Sequence, residues 1–309
     1  MKTINDLQME ITALKTQLNA VILAHSYMSR EIIEIADFTG DSYQLSVDVQ
    51  SADALNIIVC GVRFMAETAK LLSPQKRVFL PNPNAGCPMA EQFSPDEIRQ
   101  LKKKEPERAV VAYINTTAEL KKLCDVCVTS STAVKIVEKM DAQKILFIPD
   151  SNLGDYVKKR VNKDVMLLRG GCPVHNIVTL DDLRAIKSSH PLALVLVHPE
   201  CDPSIVEAAD YVGSTTGIME FAKNSSASEF IIGTELTIRE HLQYECPDKT
   251  FHALSKKISC PDMRMTSLND VLCVLNAIRD NTTGYEIVMD EYDIIAARKC
   301  IDEMIRLGG

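Results

Sequence analysis

The stretch Ala20-Val21-Ile22-Leu23-Ala24-His25-Ser26-Tyr27 decides the fold of this chain, because its pattern is written three times. An apolar run gives way abruptly to polar residues. The same happens at Ala109-Val110-Val111-Ala112-Tyr113-Ile114-Asn115 and at Leu192-Ala193-Leu194-Val195-Leu196-Val197-His198-Pro199-Glu200. Twelve residues beyond His25, Tyr113 and His198 stands an aspartate: Asp37, Asp125 and Asp210. Five further on stands a hydroxyl: Ser42, Ser130 and Thr215. An internal repeat of this kind determines the architecture. Short β-branched runs without polar alternation suit strands buried on both faces of a parallel sheet.

Each copy continues alike. A second apolar run follows at Asn56–Cys60, Ile145–Ile148 and Phe230–Ile232, and a third at Arg77–Leu80, Asp164–Leu168 and Thr250–Leu254. The third run leads each time to a Cys-Pro dipeptide, at Cys87, Cys172 and Cys260, spaced 85 and 88 residues apart. Seven residues after each cysteine comes a helix-capping candidate, Ser94, Thr179 or Ser267, with an acid three further on at Glu97, Asp182 or Asp270. That is the pattern of a capping box. Strands alternating with helical segments predict three small, similar α/β/α units with parallel sheets, arranged around a pseudo-threefold axis. The expected organisation is a covering helix over 1–19, repeats over 20–107, 108–190 and 191–281, and a C-terminal strand and helix over 282–309. In that last helix Ile294, Ile295, Cys300, Ile301, Met304 and Ile305 form the apolar face.

The composition excludes several classes. The chain has 309 residues, 46% of them hydrophobic, and a net charge of −8. It shows no basic stripe, so nucleic acid is not an expected partner. Lys102-Lys103-Lys104 reads as a solvated helix end. No apolar stretch is long enough for a membrane span, and the N-terminus has no signal-peptide core, which gives a cytoplasmic expectation. Ten cysteines in that compartment do not suggest disulfides. Cys60, Cys273 and Cys300 fall in apolar patterns and read as core. Cys124-Asp125-Val126-Cys127 has the spacing of a redox or metal motif. However, the repeat aligns these two cysteines with Ala36 and Thr39, and with Ala209 and Val212, which makes them packing positions.

Cys87, Cys172 and Cys260 differ, because they recur at one structural position in loops after a strand. Three thiolates brought together are a poor set for structural zinc and a good one for an iron–sulfur cluster. A [4Fe–4S] cluster with three cysteine ligands leaves one open iron to act as a Lewis acid. The plain alternative is three cysteines kept for packing. His175 follows Cys172 and either touches the site or is a satisfied loop histidine. Ser42, Ser130 and Thr215 each precede a helical pattern, where free backbone N–H groups and the helix dipole favour anions. The implied substrate is small and multiply anionic, a dicarboxylate or a sugar phosphate. His25, Tyr27, Tyr113, Asn115, His198 and Glu200 end the first strand of each unit and supply groups able to move protons. Glu200 is expected to have a raised pKa from burial and neighbouring anions.

These residues resemble the quinolinate synthase family, the iron–sulfur enzymes of de novo NAD biosynthesis, over essentially the whole chain. The marks include His25-Ser26-Tyr27, Gly40-Asp41-Ser42, Gly61 to Thr68, Pro81 to Pro88, Tyr113-Ile114-Asn115, Thr129-Ser130-Ser131, Pro149 to Gly154, Cys172-Pro173-Val174-His175, His198-Pro199-Glu200, Gly213-Ser214-Thr215 and Cys260-Pro261-Asp262-Met263. The resemblance implies cluster ligands at Cys87, Cys172 and Cys260. It implies substrate residues at His25, Ser42, Tyr113, Asn115, Ser130, His198, Glu200 and Thr215, and a catalytic tyrosine at Tyr27. The reaction it implies condenses iminosuccinate (iminoaspartate) with dihydroxyacetone phosphate to give quinolinate, phosphate and water. Tyr27 and Glu200 would shuttle protons, with His25 assisting. An L-aspartate oxidase or dehydrogenase would supply the imine. Some relatives carry a CxxCxxC-like run at the third ligand and a thiol switch proposed for it. Here the run reads Cys260-Pro261-Asp262-Met263-Arg264-Met265-Thr266.

Two rivals remain at this level. An aconitase-like hydro-lyase would also use three cysteines but would act without triose phosphate. A non-catalytic iron–sulfur carrier would need a fourth ligand, and no fourth repeated cysteine exists. The CxxxCxxC of radical enzymes that use S-adenosylmethionine is absent.

Overall fold

The computed structural model describes residues 2–308. It contains three four-stranded sheets, all parallel. The first is built from β1 (Ala20–His25), β2 (Phe38–Gly40), β3 (Asn56–Cys60) and β4 (Arg77–Phe79). The second uses β5 (Ala109–Tyr113), β6 (Val126–Val128), β7 (Lys144–Ile148) and β8 (Asp164–Leu167). The third uses β9 (Leu194–Val197), β10 (Tyr211–Val212), β11 (Glu229–Gly233) and β12 (Thr250–Ala253). The spatial orders are β2-β1-β3-β4, β6-β5-β7-β8 and β10-β9-β11-β12, one topology used three times.

The repeat extends to register. Leu23 pairs with Phe38, Val111 with Val126 and Leu196 with Tyr211, always 15 residues on. Ala20 pairs with Asn56, Ala109 with Ile145 and Leu194 with Phe230, always 36 residues on. The recurring aspartate explains part of this constancy. The carboxylates of Asp37, Asp125 and Asp210 accept the backbone N–H of Ile22, Val110 and Val195 at 2.7–2.8 Å. Their own N–H groups donate back to the carbonyls of those same residues. Each aspartate thereby extends the ladder by one rung and fixes the edge strand against the central one. A buried parallel strand has few other devices for pinning register.

The chain divides into two compact units, Met1–Cys87 with Pro261–Arg298, and Pro88–Cys260 with Lys299–Gly309. The first holds the β1–β4 sheet. Its N-terminal helix Ile4–Gln17, begun by a capping box at Thr3 and Asp6, packs on the helix Leu268–Arg279. The second unit holds the other two sheets. The three predicted capping boxes are all present. Ser94 with Glu97, Thr179 with Asp182 and Ser267 with Asp270 bond reciprocally at the starts of Pro95–Lys104, Leu180–Ser189 and Leu268–Arg279. Lys102–Lys104 form the last turn of the first of these helices.

Three expectations need correction. Where a C-terminal strand was expected, the described residues show a single antiparallel bridge from Glu286 to Phe79, reinforced by the Arg77–Glu286 ion pair at 2.7 Å. The C-terminal helix Glu291–Gly308 buries Ile294, Cys300, Ile301 and Met304, but Ile295 is exposed, because it falls just off the buried stripe. Cys60 and Cys300 are core, whereas Cys273 is exposed on the outer face of its helix. Cys124 and Cys127 are buried, as packing positions should be. The Cys124 thiol donates to the Leu120 carbonyl at 3.1 Å, and Cys127 Sγ lies 3.3 Å from Cys300 Sγ.

Candidate active site

The strand order 2-1-3-4 in each sheet creates a crevice at the C-terminal ends of the first and third strands, where successive connections leave in opposite directions. Ligands of open α/β sheets bind there. In the first unit His25 closes β1. It is buried, and its Nδ1 accepts the N–H of Tyr27 at 3.1 Å. The two rings meet edge-on at 4.5 Å. Ser42 begins the helix Ser42–Ser51, but Asp41 caps it, accepting N–H bonds from Tyr43 and Gln44 at 3.1 Å. The serine hydroxyl is thus spared capping duty. Cys87 lies half-buried in the loop that follows β4.

In the second unit the corresponding positions draw together. Glu200, buried just past β9, places Oε2 2.8 Å from His175 Nδ1. It also accepts a hydrogen bond from the Tyr113 side chain at the end of β5. His198 Nδ1 stands 3.8 Å from its Oε1, too far for a hydrogen bond, and accepts the Glu200 N–H at 3.4 Å. That N–H contact repeats the one between His25 and Tyr27. His175 is anchored on both nitrogens. Nε2 meets Thr234 Oγ1 at 3.1 Å, and Nδ1 also lies 3.3 Å from Cys172 Sγ. Cys172, His175 and Glu200 therefore form one cluster of donor atoms. His175 is part of the site and not a bystander.

The electrostatics reverse one expectation. Burial pushes the Glu200 carboxyl up. The adjacent His198 and His175, with hydrogen bonds from His175 and Tyr113, outweigh it and hold the group well below the usual carboxylate range. Glu200 is an ionised acceptor. The raised pKa belongs instead to Asp150, pushed up to about 7, first by burial and then by the charge of Glu200. Two neighbouring carboxyls driven in opposite directions by their surroundings are the usual arrangement of an acid–base site.

Asp150 was not singled out from the sequence, and neither was Glu235. Both are fully buried, two residues past β7 and β11. Asp150 caps Ser151–Lys158 through the Leu153 N–H at 2.7 Å and accepts the Cys172 N–H at 3.1 Å. Glu235 caps Leu236–Glu245 through the Thr237 N–H at 2.7 Å and accepts the Cys260 N–H at 3.3 Å. One acid at one repeat position thus pins both of these cysteine loops. The readable signal was Pro149-Asp150 matched by Thr234-Glu235. In the first unit the same position is Val62, which has no carboxylate to offer.

Lys121 has no motif or spacing in the sequence that marks it. It is fully buried and donates to the carbonyls of Ile114, at 2.9 Å, and Thr116. It fixes the loop that carries Asn115, whose buried Oδ1 has no hydrogen-bond partner among the described residues. An orphaned buried acceptor carries a desolvation penalty that a bound donor would relieve. Ser130 is half-buried, two residues ahead of Thr132, the N-cap of the short helix Ala133–Lys139. Thr215 begins Thr215–Asn224, which Ser214 caps. Among the described residues no helix is long and apolar enough to cross a membrane.

Residues 9–306 match the family model "NadA: Quinolinate synthetase A protein". The chain is 44% identical over 299 residues to a quinolinate synthase of Thermodesulfovibrio yellowstonii, covering 96% of this chain and 97% of the relative. It is 46% identical over 305 residues to a quinolinate synthase of Caldicellulosiruptor saccharolyticus, covering 98% and 99%. With quinolinate synthase 1 of Methanosarcina acetivorans it shares 41% identity over 300 residues, at 97% coverage of both. With three repeated sheets, their strand-end polar residues and matches spanning nearly its whole length, the chain belongs to the quinolinate synthetase A family.

Proposed function

We propose that this chain condenses iminosuccinate with dihydroxyacetone phosphate, releasing phosphate and water to form quinolinate for NAD biosynthesis. The observation that carries the reading, beside family membership, is the buried Tyr113–Glu200–His175 network ending on Cys172. It joins an ionised proton acceptor to a soft metal ligand at a strand-end crevice. Cys87, Cys172 and Cys260, which recur at one position of the repeat, are read as the ligands of a single iron–sulfur cluster.

The residues fit a [4Fe–4S] group. All three are partly exposed cysteines outside any disulfide, at equivalent loop positions, and buried carboxylates hold the backbone N–H groups of two of them. Bound there, the cluster would supply an iron without a protein ligand, able to act as a Lewis acid toward a hydroxyl or carboxylate. The protein's own residues do the rest. Helix N-terminal N–H groups and the hydroxyls of Ser42, Ser130 and Thr215 hold carboxylates or phosphate. Tyr113, Asn115 and His198 orient the substrates. Glu200 accepts a proton during isomerisation and dehydration, passing it along the His175 and Tyr113 bonds. Tyr27, braced on His25, serves the first unit's side of the reaction. An L-aspartate oxidase or dehydrogenase is the proposed source of the imine, and the cytoplasm the proposed compartment.

The test is anaerobic reconstitution followed by an assay for quinolinate. Replacing Cys87, Cys172 or Cys260 by Ser should remove the iron–sulfur absorbance, whereas Cys124→Ser and Cys127→Ser should keep it. Product should require both substrates. A fully loaded protein that forms no quinolinate, or that dehydrates a dicarboxylate without triose phosphate, would refute the proposal in favour of a hydro-lyase.

A further inference from the structure

A second convergence of donor atoms lies at the entry edge of the third sheet, away from the strand ends used above. Glu229 is the first residue of β11, and His252 lies on the neighbouring β12. Glu229 pairs with Thr250, and Ile231 with His252, so Glu229 and His252 project from the same face of the sheet. His190 is the C-cap of Leu180–Ser189, fixed by its N–H bond to the Ile186 carbonyl. His190 Nδ1 lies 2.8 Å and His252 Nε2 2.9 Å from one and the same oxygen, Glu229 Oε1. The two imidazoles stack at 3.6 Å with an interplanar angle of 24°.

We propose that His190, Glu229 and His252 form a second metal site, specific for a borderline transition ion such as Zn(II). Three features carry this. The ligand atoms of all three side chains lie within 4.8 Å of one another. Two imidazole nitrogens and one carboxylate are a ligand set that zinc uses with a fourth position left to water. The side chains retain 21–31% exposure, which leaves that position open to solvent. Neighbouring ligand atoms of a tetrahedral zinc site stand about 3.3 Å apart, by the usual metal–ligand bond lengths. The present contacts would therefore open by only about 0.5 Å.

An ion pair alone is a weaker account of the geometry. Two imidazolium rings stacked face to face would repel, and a single carboxylate cannot neutralise both. Among the described residues no Lys or Arg pairs with Glu229, so no competing cation occupies the carboxylate. A divalent ion would accept a lone pair from each ring and answer the carboxylate charge at once. Nitrogen donors argue against Mg(II) and Ca(II), which take oxygen ligands. The ion would clasp the end of a helix to two strands, a stabilising role independent of the reaction proposed above.

The probe is Co(II), titrated anaerobically into the cluster-loaded full-length chain and displaced by Zn(II). The expected result is a single equivalent whose ligand-field bands lack thiolate-to-metal charge transfer. Affinity should fall about a hundredfold or more in His190→Ala, His252→Ala and Glu229→Gln. Glu229→Gln keeps groups that hold both rings and should fold normally. Zinc should raise the melting temperature of the wild type and leave that of Glu229→Gln unmoved. Absence of binding to the wild type, wild-type affinity in all three variants, or a charge-transfer band lost only in Cys172→Ser would overturn the site.

Discussion

Replacing Glu200 by Gln should separate chemistry from folding. Gln has nearly the same shape and can still accept from His175 and bond Tyr113, which both contact the native side chain. The His175 bond, 2.8 Å long, changes from a charge-assisted to a neutral one. That loses roughly 1 kcal/mol, the gap between typical values for the two kinds of bond. The variant should therefore be less stable at neutral pH, by about 1 kcal/mol or more, because it also lacks the stabilisation of the ionised form. Below the ordinary carboxylate value of 4.5, the comparison changes. The folded-state pKa is lowered, so the native carboxylate contributes stability above 4.5 and loses it as the pH falls toward the folded value. The Gln variant lacks that contribution at every pH and should show a flatter acid limb. Turnover should behave differently. A positioned base contributes about 10²–10⁴ in rate, equivalent to roughly 3–5 kcal/mol of barrier. The assay is steady-state quinolinate formation under strict anaerobiosis, with iron and sulfide measured in the same preparation. A Gln variant with a full cluster and the wild-type rate would refute the assignment and move the role to Tyr27 with His25.

Asn115→Ala should weaken substrate binding while leaving urea stability unchanged or slightly higher, because it removes an acceptor that has no partner in the folded chain; lower stability with unaltered KM would mean the side chain is structural. For Asp150 the folded pKa is raised from 3.8 to about 7, so its stability contribution is present at low pH and lost as the pH rises through about 7. Unfolding free energies of the cluster-free chain between pH 4.5 and 7, where Glu200 no longer titrates, should fall with pH and lose that slope in Asp150→Asn. Gly154→Ala would set a methyl group 2.5 Å from Leu167 Cδ2 and 2.9 Å from Phe147 Cδ1. Overpacking should outweigh the gain in helix propensity and destabilise by about 1–3 kcal/mol, read as a lower denaturation midpoint.

The threefold repeat, the parallel sheets and the capping boxes are written in the order of the residues. These follow from local rules: β-branched runs, an aspartate at a fixed interval and a hydroxyl three residues before an acid. They are legible because partners close in sequence, or repeated at a fixed offset, leave a periodic trace. The strand-end residues Tyr113, His198 and Glu200 were legible for the same reason, since divergence at equivalent positions stands out against a constant frame. How the groups act on one another depends on contacts made in three dimensions. The ionisation of Glu200 depends on His175, which reaches it from a different loop, and the expected raised pKa failed because that partner was unseen. Asp150 and Glu235 share one repeat position, but only their burial and their bonds to Cys172 and Cys260 separate them from surface acids. Lys121 reads in sequence as one lysine among many, until its ammonium is found closing the Asn115 loop from inside the core. His190, Glu229 and His252 meet across 62 residues of chain with no spacing rule to announce them. Long-range convergence depends on how sheets and loops pack, and packing is a property of the whole chain that no local stretch encodes.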